Sequence, residues 1–346
     1  MRPDPVIPRL HLTPDYSISR IIKGGWHLAG GHGAVDAQSA VEDMVRFVEA
    51  GITTFDCADI YTGVESLIGD FRRDHPSLAR EVQVHTKFVP DLSSLATLTR
   101  RDVEAGIDRS LRRLGLERLD VVQFHWWDYA VPRYVEIALE LDRLRHAGKI
   151  RHVSLTNFDA ARLSEILAAG VPVLTHQLQY SLIDDRPRRA MAQLCAARGI
   201  SLLCYGSVAG GFLSDRWLDT PEPSDLTNRS LIKYKLIIDD FGGWDLFQAL
   251  LRGLADIAAK HRTDIASVAA RAVLANPAVA AVIIGAVNAN HLAAHRAIFD
   301  FALDAEDLAA LGRIDQRRSG PKGDVYDLER DREGPHGRIM KYELNQ

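Results

Sequence analysis

Three observations predict an α/β fold, and within that class a (β/α)8 barrel of the TIM type with long loops at its C-terminal face and a C-terminal extension. Eight short apolar runs rich in β-branched residues recur along the 346 residues. Amphipathic stretches of helical length separate them, the signature of parallel βαβ units. Such even alternation is unusual in an open doubly wound sheet, whereas eight units of this kind close a barrel.

The strands are expected at Arg20 to Lys23, Ile52 to Asp56, Val82 to Lys87, Asp120 to His125, His152 to Leu155, Val173 to Leu178, Ile200 to Tyr205 and Ala280 to Gly285. Helices are expected between them, at Ala37 to Ala50, Arg100 to Leu114, Pro132 to Ala147, Asp159 to Ala169, Arg186 to Arg198 and Trp244 to Lys260. The most apolar window, Ser267 to Val287, is broken by Arg271, Asn276 and Pro277. It reads as helix, break and strand, and does not span a membrane. The connection from Ala209 to Gly243 is long enough to read as a lid or binding loop. The RPRR run at Arg186 to Arg189 reads as a solvated helix start. Residues 1–315 form the expected barrel, and residues 316–346, rich in charge, Gly and Pro, form an extension that is either a surface tail or an arm covering the barrel mouth.

Composition bounds the partners. With 25% charged residues, 47% hydrophobic residues and a formal net charge of −4, the chain lacks the basic surplus expected of a protein that binds nucleic acid or anionic membrane. Cys57, Cys195 and Cys204 form no CxxC pair and no even framework, so they read as reduced core residues. The N-terminal stretch has no apolar signal core, and its prolines argue against an amphipathic targeting helix. A cytoplasmic protein is the expectation.

In a barrel of this kind, polar residues that end successive strands converge on one mouth. Asp56 ends the second strand, Lys87 the third and His125 the fourth, with Tyr61 in the loop after Asp56. A carboxylate closing a buried strand needs a cation or donors to meet it. Lys87 supplies that cation, and Asp56 in turn holds Lys87 ionised. A nearby ammonium favours the phenolate and makes Tyr61 a better proton donor. His125 can then orient a carbonyl or complete a proton path. Taken singly, each has a plainer reading: Asp56 a loop cap, Lys87 a snorkelling surface residue, His125 a satisfied core histidine. Together, on three consecutive strands, they read as a proton-transfer site.

FDCADIYTGVE, HTKF and QFHWWD resemble the aldo-keto reductase superfamily, and the resemblance continues from about Ile21 to Phe299. It implies that Asp56, Tyr61, Lys87 and His125 are a catalytic tetrad. SLTNFD is similar to the family segment that binds the nicotinamide carboxamide, implying Ser154 and Asn157, and HQLQYSLI implies a further contact from Gln177. CYGSVAGGFL implies that Tyr205 stacks on nicotinamide and that Gly206, Ser207, Val208, Gly210 and Gly211 lie along the pyrophosphate. Gly25 and Trp26 of the first loop, and Gly285, Ala286 and Asn288 after the last strand, are implied cofactor contacts as well. His291 and His295 stand where the family offers Gln and Asn to adenine. No GxGxxG follows the first strand, so barrel loops would hold the dinucleotide.

No cation follows Gly285 until Arg296, so a strong preference for NADPH is not expected, and NADP(H) or NAD(H) can serve. Trp26, Trp126 and Trp127, with Tyr61 and His125, would line a pocket for an apolar or sugar-like carbonyl compound, although Trp126 or Trp127 can equally pack as loop core. His27 and His32 show no metal-ligand spacing, and no metal is expected. The chain is expected to reduce the carbonyl of an aldehyde, ketone or sugar to an alcohol with NAD(P)H. The alternatives are a dehydrogenase running mainly in the alcohol-oxidising direction and a cofactor-binding redox sensor or scaffold with slow turnover. A small carbonyl or alcohol is the expected partner.

Overall fold

In the computed structural model, residues 7–29, 35–286 and 288–345 are described. His32 and Val287 lie outside them. The chain starts with an antiparallel hairpin, β1 (Arg9–Thr13) and β2 (Tyr16–Ser19), which the sequence reading did not foresee. Eight parallel strands follow: β3 (Ile21–Gly24), β4 (Thr54–Asp56), β5 (Gln83–Phe88), β6 (Leu119–Phe124), β7 (Ile150–Thr156), β8 (Val173–Gln179), β9 (Ser201–Tyr205) and β10 (Val279–Gly285). They close in sequence order, with β10 pairing to β3, into the expected barrel. Tyr16 and Ile18 of the hairpin are buried with Ile22, Val121 and Leu203 of the barrel strands, so the hairpin plugs the barrel floor.

The helices form where apolar spacing and caps coincide. Arg100–Leu114 starts at a capping box of Thr99 and Asp102 and stops at Gly115, whose φ of 62° suits a residue without a Cβ. Its buried face is Val103, Ile107, Ser110 and Leu114, at the spacing of one helical stripe. The same logic corrects the long connection after β9. That segment is mostly ordered: Asn228 caps a helix over Arg229–Phe241, which buries Tyr234, Ile237, Ile238 and Phe241. A second helix, Gly243–His261, follows after one turn of direction at Gly242.

Arg186 overturns another expectation. Instead of opening a solvated helix, it is 2% exposed and lies between Asp184, at 2.7 Å, and Glu329, at 3.3 Å. A lone buried guanidinium would be costly, and two carboxylates are needed to hold it there. Glu329 belongs to the C-terminal arm. After the helix Ala305–Asp315 the chain returns to the barrel mouth, where Tyr326, Ile339, Met340 and Leu344 of this segment border a cavity. Among the described residues no helix is long and apolar enough to cross a membrane. The three cysteines are free and buried.

Candidate active site

Strand register brings the predicted residues together. Gly24 pairs with Asp56, Asp56 with His85, and Lys87 with Gln123, so the ends of β3 to β6 form one rim. Gly25 donates its N–H to the Asp56 carbonyl at 2.8 Å, and a Cβ there would meet that oxygen and the Val64 side chain. Only glycine lets the first strand end so close to the second.

Asp56, Tyr61, Lys87 and His125 all border a cavity of about 380 Å³ at the C-terminal mouth of the barrel. Lys87 Nζ donates to Asp56 Oδ2 at 2.7 Å and to the Cys57 carbonyl at 3.0 Å, and it lies 4.8 Å from the centre of the Tyr61 ring. Burial works against the ammonium, but Asp56 and the Tyr61 oxygen outweigh it and hold Lys87 above its ordinary range. The other carboxylate oxygen of Asp56 accepts from Gln123 Nε2 at 2.9 Å and Gln177 Nε2 at 2.6 Å. Both oxygens of this buried acid therefore have donors. Tyr61 departs from expectation: burial raises its phenol above the ordinary value, and Lys87 only pulls part of the way back.

His125 also differs from its expected role. Its Nδ1 lies 3.2 Å from the Thr156 carbonyl oxygen. A carbonyl can only accept, so Nδ1 carries the hydrogen. Burial, with Arg330 and Lys87 nearby, lowers the imidazole to about 3, which keeps it neutral. Its Nε2 is then a lone pair with no partner among the described residues. In this state it accepts a hydrogen bond from an O–H and cannot donate one to a carbonyl.

The implied cofactor residues divide into two groups. Trp26, Asn157, Gln177, Tyr205, Gly206, Val208, Gly210, Gly211 and Gly285 all border the cavity. Ser154 does not. Its hydroxyl accepts from the Thr175 backbone N–H at 3.1 Å and from the Thr175 hydroxyl at 2.8 Å. Two residues on, at the very end of β7, Thr156 borders the cavity, and its Oγ1 is buried without a partner. Thr156 takes the position expected for Ser154. Ser207 is buried with an unpartnered hydroxyl. Ala286 is buried, while Asn288 and His291 are exposed beyond the end of β10. His295 is 7% exposed, and its ring stacks on that of Phe47 with 6.4 Å between centroids.

The three tryptophans also separate. Trp26 and Trp127 border the cavity, Trp26 with its ring 5.1 Å from that of Tyr61, and Trp127 edge-on to His125 at 4.3 Å. Trp126 is fully buried and gives its indole N–H to the Asp128 and Val131 carbonyls, both at 2.9 Å. It is the loop core, one of the two readings left open for it.

The sequence reading missed Arg229 and Lys233. Both lie on the helix after β9 and border the cavity. Lys233 sits 3.7 Å from Glu329 and 5.1 Å from the centre of the Tyr205 ring, and Arg229 donates to the Ile339 carbonyl of the arm at 2.7 Å. The signal was there in RSLIKYK, two cations one helical turn apart. Among the described residues, no group of three or more His, Cys, Asp and Glu could hold a metal ion.

The model of the aldo/keto reductase family matches residues 20–316. The chain belongs to this family. Among its curated relatives, the flagellar radial spoke protein 5 of Chlamydomonas reinhardtii is 29% identical over 253 residues, which are 62% of this chain and 48% of that protein. The NADH-specific methylglyoxal reductase of Escherichia coli K12 is 27% identical over 224 residues, 58% of this chain and 67% of the relative. The chain thus spans about half the length of the first relative. In fold, this aldo/keto reductase superposes on a glycerol dehydrogenase from Gluconobacter oxydans with a TM-score of 0.74 and 24% identity, covering 93% of this chain and 98% of that one.

The residues present fit a nicotinamide dinucleotide. Gln177 spends its amide nitrogen on Asp56 and keeps its carbonyl oxygen, whereas Asn157 accepts the Tyr205 hydroxyl at 2.8 Å on Oδ1 and keeps its amide N–H groups. One acceptor and one donor, with the Thr156 hydroxyl next to Asn157 in sequence, match a primary carboxamide. Arg229 and Lys233 supply charge-assisted donors for a diphosphate.

Proposed function

We propose that this aldo/keto reductase is an NAD(P)(H)-dependent oxidoreductase that interconverts a small carbonyl compound and its alcohol in the cytoplasm. The observation that carries the reading is the buried Asp56–Lys87 pair under the ring of Tyr61. When bound, the nicotinamide dinucleotide supplies or accepts the hydride. Everything else falls to the chain. Tyr61, kept protonated by burial, donates its proton to the oxygen on which negative charge develops. Lys87, kept charged by Asp56, stabilises the phenolate that remains. Asn157, Gln177 and Thr156 orient the carboxamide, and Tyr205 offers its ring to the nicotinamide face. Arg229 and Lys233 hold the diphosphate along Gly206 to Gly211.

The substrate end of the cavity is walled by Trp26, Trp127 and the arm residues Ile339, Met340 and Leu344. That lining suits an aldehyde or ketone with an apolar or sugar-like body. The Nε2 lone pair of His125 gives the alcohol-oxidising direction specific support, because an alcohol offers the O–H that this atom can accept. A redox sensor with slow turnover has no comparable observation in its favour.

The test is cofactor binding followed by turnover. Fluorescence titration with NADPH and NADH should show saturable binding, and a panel of aldehydes, ketones, sugars and the corresponding alcohols should show steady turnover. Tight binding with no turnover of any panel member would overturn the enzyme reading in favour of the sensor.

A further inference from the structure

Arg330 lies on the C-terminal arm, far in sequence from the strands that carry the tetrad, yet it is built into their ends. One of its terminal nitrogens donates to the Trp126 carbonyl at 2.9 Å and to the Asn157 carbonyl at 2.7 Å. These residues flank the two strand ends that hold His125. Trp126 follows it directly, and Asn157 follows Thr156, whose own carbonyl accepts the His125 Nδ1 hydrogen. Asn157 has a φ of 62°, unusual for a residue with a Cβ. This conformation lets the successive carbonyls of Thr156 and Asn157 serve His125 and Arg330 respectively.

The guanidinium is otherwise held by ring faces. Its carbon lies 4.2 Å from the centre of the Tyr129 ring and 5.2 Å from that of Tyr326. Nε and the other terminal nitrogen are buried without partners, and among the described residues no carboxylate forms an ion pair with it. The side chain as a whole is half-buried, with Nε and one terminal nitrogen closed off from solvent, so its field reaches the groups beneath it with less screening than from an open surface.

Several groups face His125 from the elements around it. Lys87 comes from β5 with Asp56 behind it, and Tyr61 from the loop after β4. Trp127 and Thr156 come from its own rim, and Tyr326 lies edge-on at 5.4 Å from the arm. Lys87 is neutralised by Asp56 at 2.7 Å, whereas Arg330 has no such partner. Of the two cations that act on the ring, Arg330 acts more strongly than Lys87, and on its other side it faces the carboxylate of Asp159.

We propose that Arg330 is a positioning residue of the active site, tying together the strand ends around His125 and setting the tautomer and charge with which that imidazole meets the substrate. The arm thereby completes the site, beyond merely covering it. The kinetic consequence rests on the oxidoreductase reading above, while the effect on the ring does not.

The experiment follows the ring nitrogens of His125 by NMR in the full chain labelled with 15N-histidine, from about pH 7.5 down to about pH 4.5. Its signals are assigned by their loss in His125→Asn. In the wild type the ring should show the Nδ1–H tautomer and stay neutral across the range. Arg330→Gln keeps a donor for the carbonyls and loses the charge; its His125 should begin to protonate about one pH unit or more higher. Arg330→Lys keeps the charge and should restore the wild-type titration. If the enzyme turns over, the acid limb of kcat/KM moves up in Arg330→Gln and not in Arg330→Lys.

An Nε2–H tautomer in the wild type, or identical titration in all three proteins, would overturn the proposal. So would a Lys variant that titrates like the Gln variant or, where Arg330→Gln does not fold, a Lys variant whose ring protonates at higher pH than that of the wild type. A shifted ring titration in a protein that reduces nothing would leave Arg330 in this role and remove the proposed function. Normal turnover with an unshifted ring would do the reverse.

Discussion

Lys87 and Asp56 meet at 2.7 Å with only 6% and 5% of their side chains exposed. Neither charge is stable there without the other, because the desolvation of each is offset mainly by its partner. Asp56→Asn preserves shape and leaves the ammonium uncompensated. Lys87 then sheds its proton more readily and no longer supports a phenolate on Tyr61. We expect kcat to fall by about 10² to 10⁴, with a loss of stability of about 3 to 5 kcal/mol. Steady-state kinetics and denaturant unfolding check this, and wild-type kcat in the variant would remove Asp56 from the mechanism.

Tyr61 is held protonated by burial. Its function as an acid should therefore persist throughout the neutral range and fail only in strongly alkaline solution, above the ordinary phenol value of about 10. Tyr61→Phe should abolish carbonyl reduction while changing dinucleotide affinity by less than about twofold, roughly 0.4 kcal/mol. Undiminished activity in this variant would show that another group delivers the proton.

Arg229 stands on the helix after β9, borders the cavity and donates to the Ile339 carbonyl of the arm. If it grips a diphosphate, Arg229→Gln should weaken dinucleotide binding by about tenfold, roughly 1.4 kcal/mol, and flatten the dependence of affinity on salt. Titration with NADH at two ionic strengths reads both. Unchanged affinity and salt dependence would assign Arg229 to anchoring the arm alone.

The barrel, and the convergence of Asp56, Tyr61, Lys87 and His125 on one cavity, were legible because they depend on local signals: strand periodicity, and polar residues at strand ends. Ser154 and Thr156 show where that legibility stops. Both hydroxyls lie on one strand two residues apart, and only their cross-strand neighbours decide which is spent on Thr175 and which is left to the cavity. Arg186 was misread because an isolated RPRR run looks solvated, and its partner Glu329 arrives from a segment 143 residues away. The helix at Arg229–Phe241 was different: its cap and apolar spacing were visible but were absorbed into a loop defined by what flanked it.

Beyond β10, Asn288 and His291 are exposed, and no lysine or arginine lies between Gly285 and Arg296. A 2′-phosphate on the adenosine ribose draws its affinity from charge-assisted donors. The preference for NADPH over NADH should accordingly stay below about tenfold, roughly 1.4 kcal/mol. Dissociation constants for both dinucleotides test this. A much larger preference would direct attention to Arg296 and Arg46, which border the same surface hollow beside Ala289.

Acid should unfold this protein early, and its histidines are the reason. His85, His125 and His176 are buried, and desolvation lowers them to about 4, about 3 and about 3, against about 6.5 in an unfolded chain. Between those values the unfolded chain binds more protons than the folded one, so stability rises with pH. The contribution is complete above about pH 6.5 and is lost as pH falls below it, by up to ~1.4 kcal/mol per unit for each ring. Asp59, pushed up to about 8 by burial, works in the opposite direction across the same window. His152 and His295, both lowered to about 4 chiefly by burial, act in the same direction as the three rings, so the histidines outweigh the carboxyl and stability falls as pH drops below about 6. Melting temperatures should therefore fall steeply between about pH 6.5 and pH 5, before ordinary carboxylates titrate. His176 accepts the Phe158 N–H at 3.1 Å through Nε2, a bond that a glutamine oxygen can replace. His176→Gln should make the slope shallower by about one ring's share, and an unaltered slope would mean that His176 does not resist protonation in the fold.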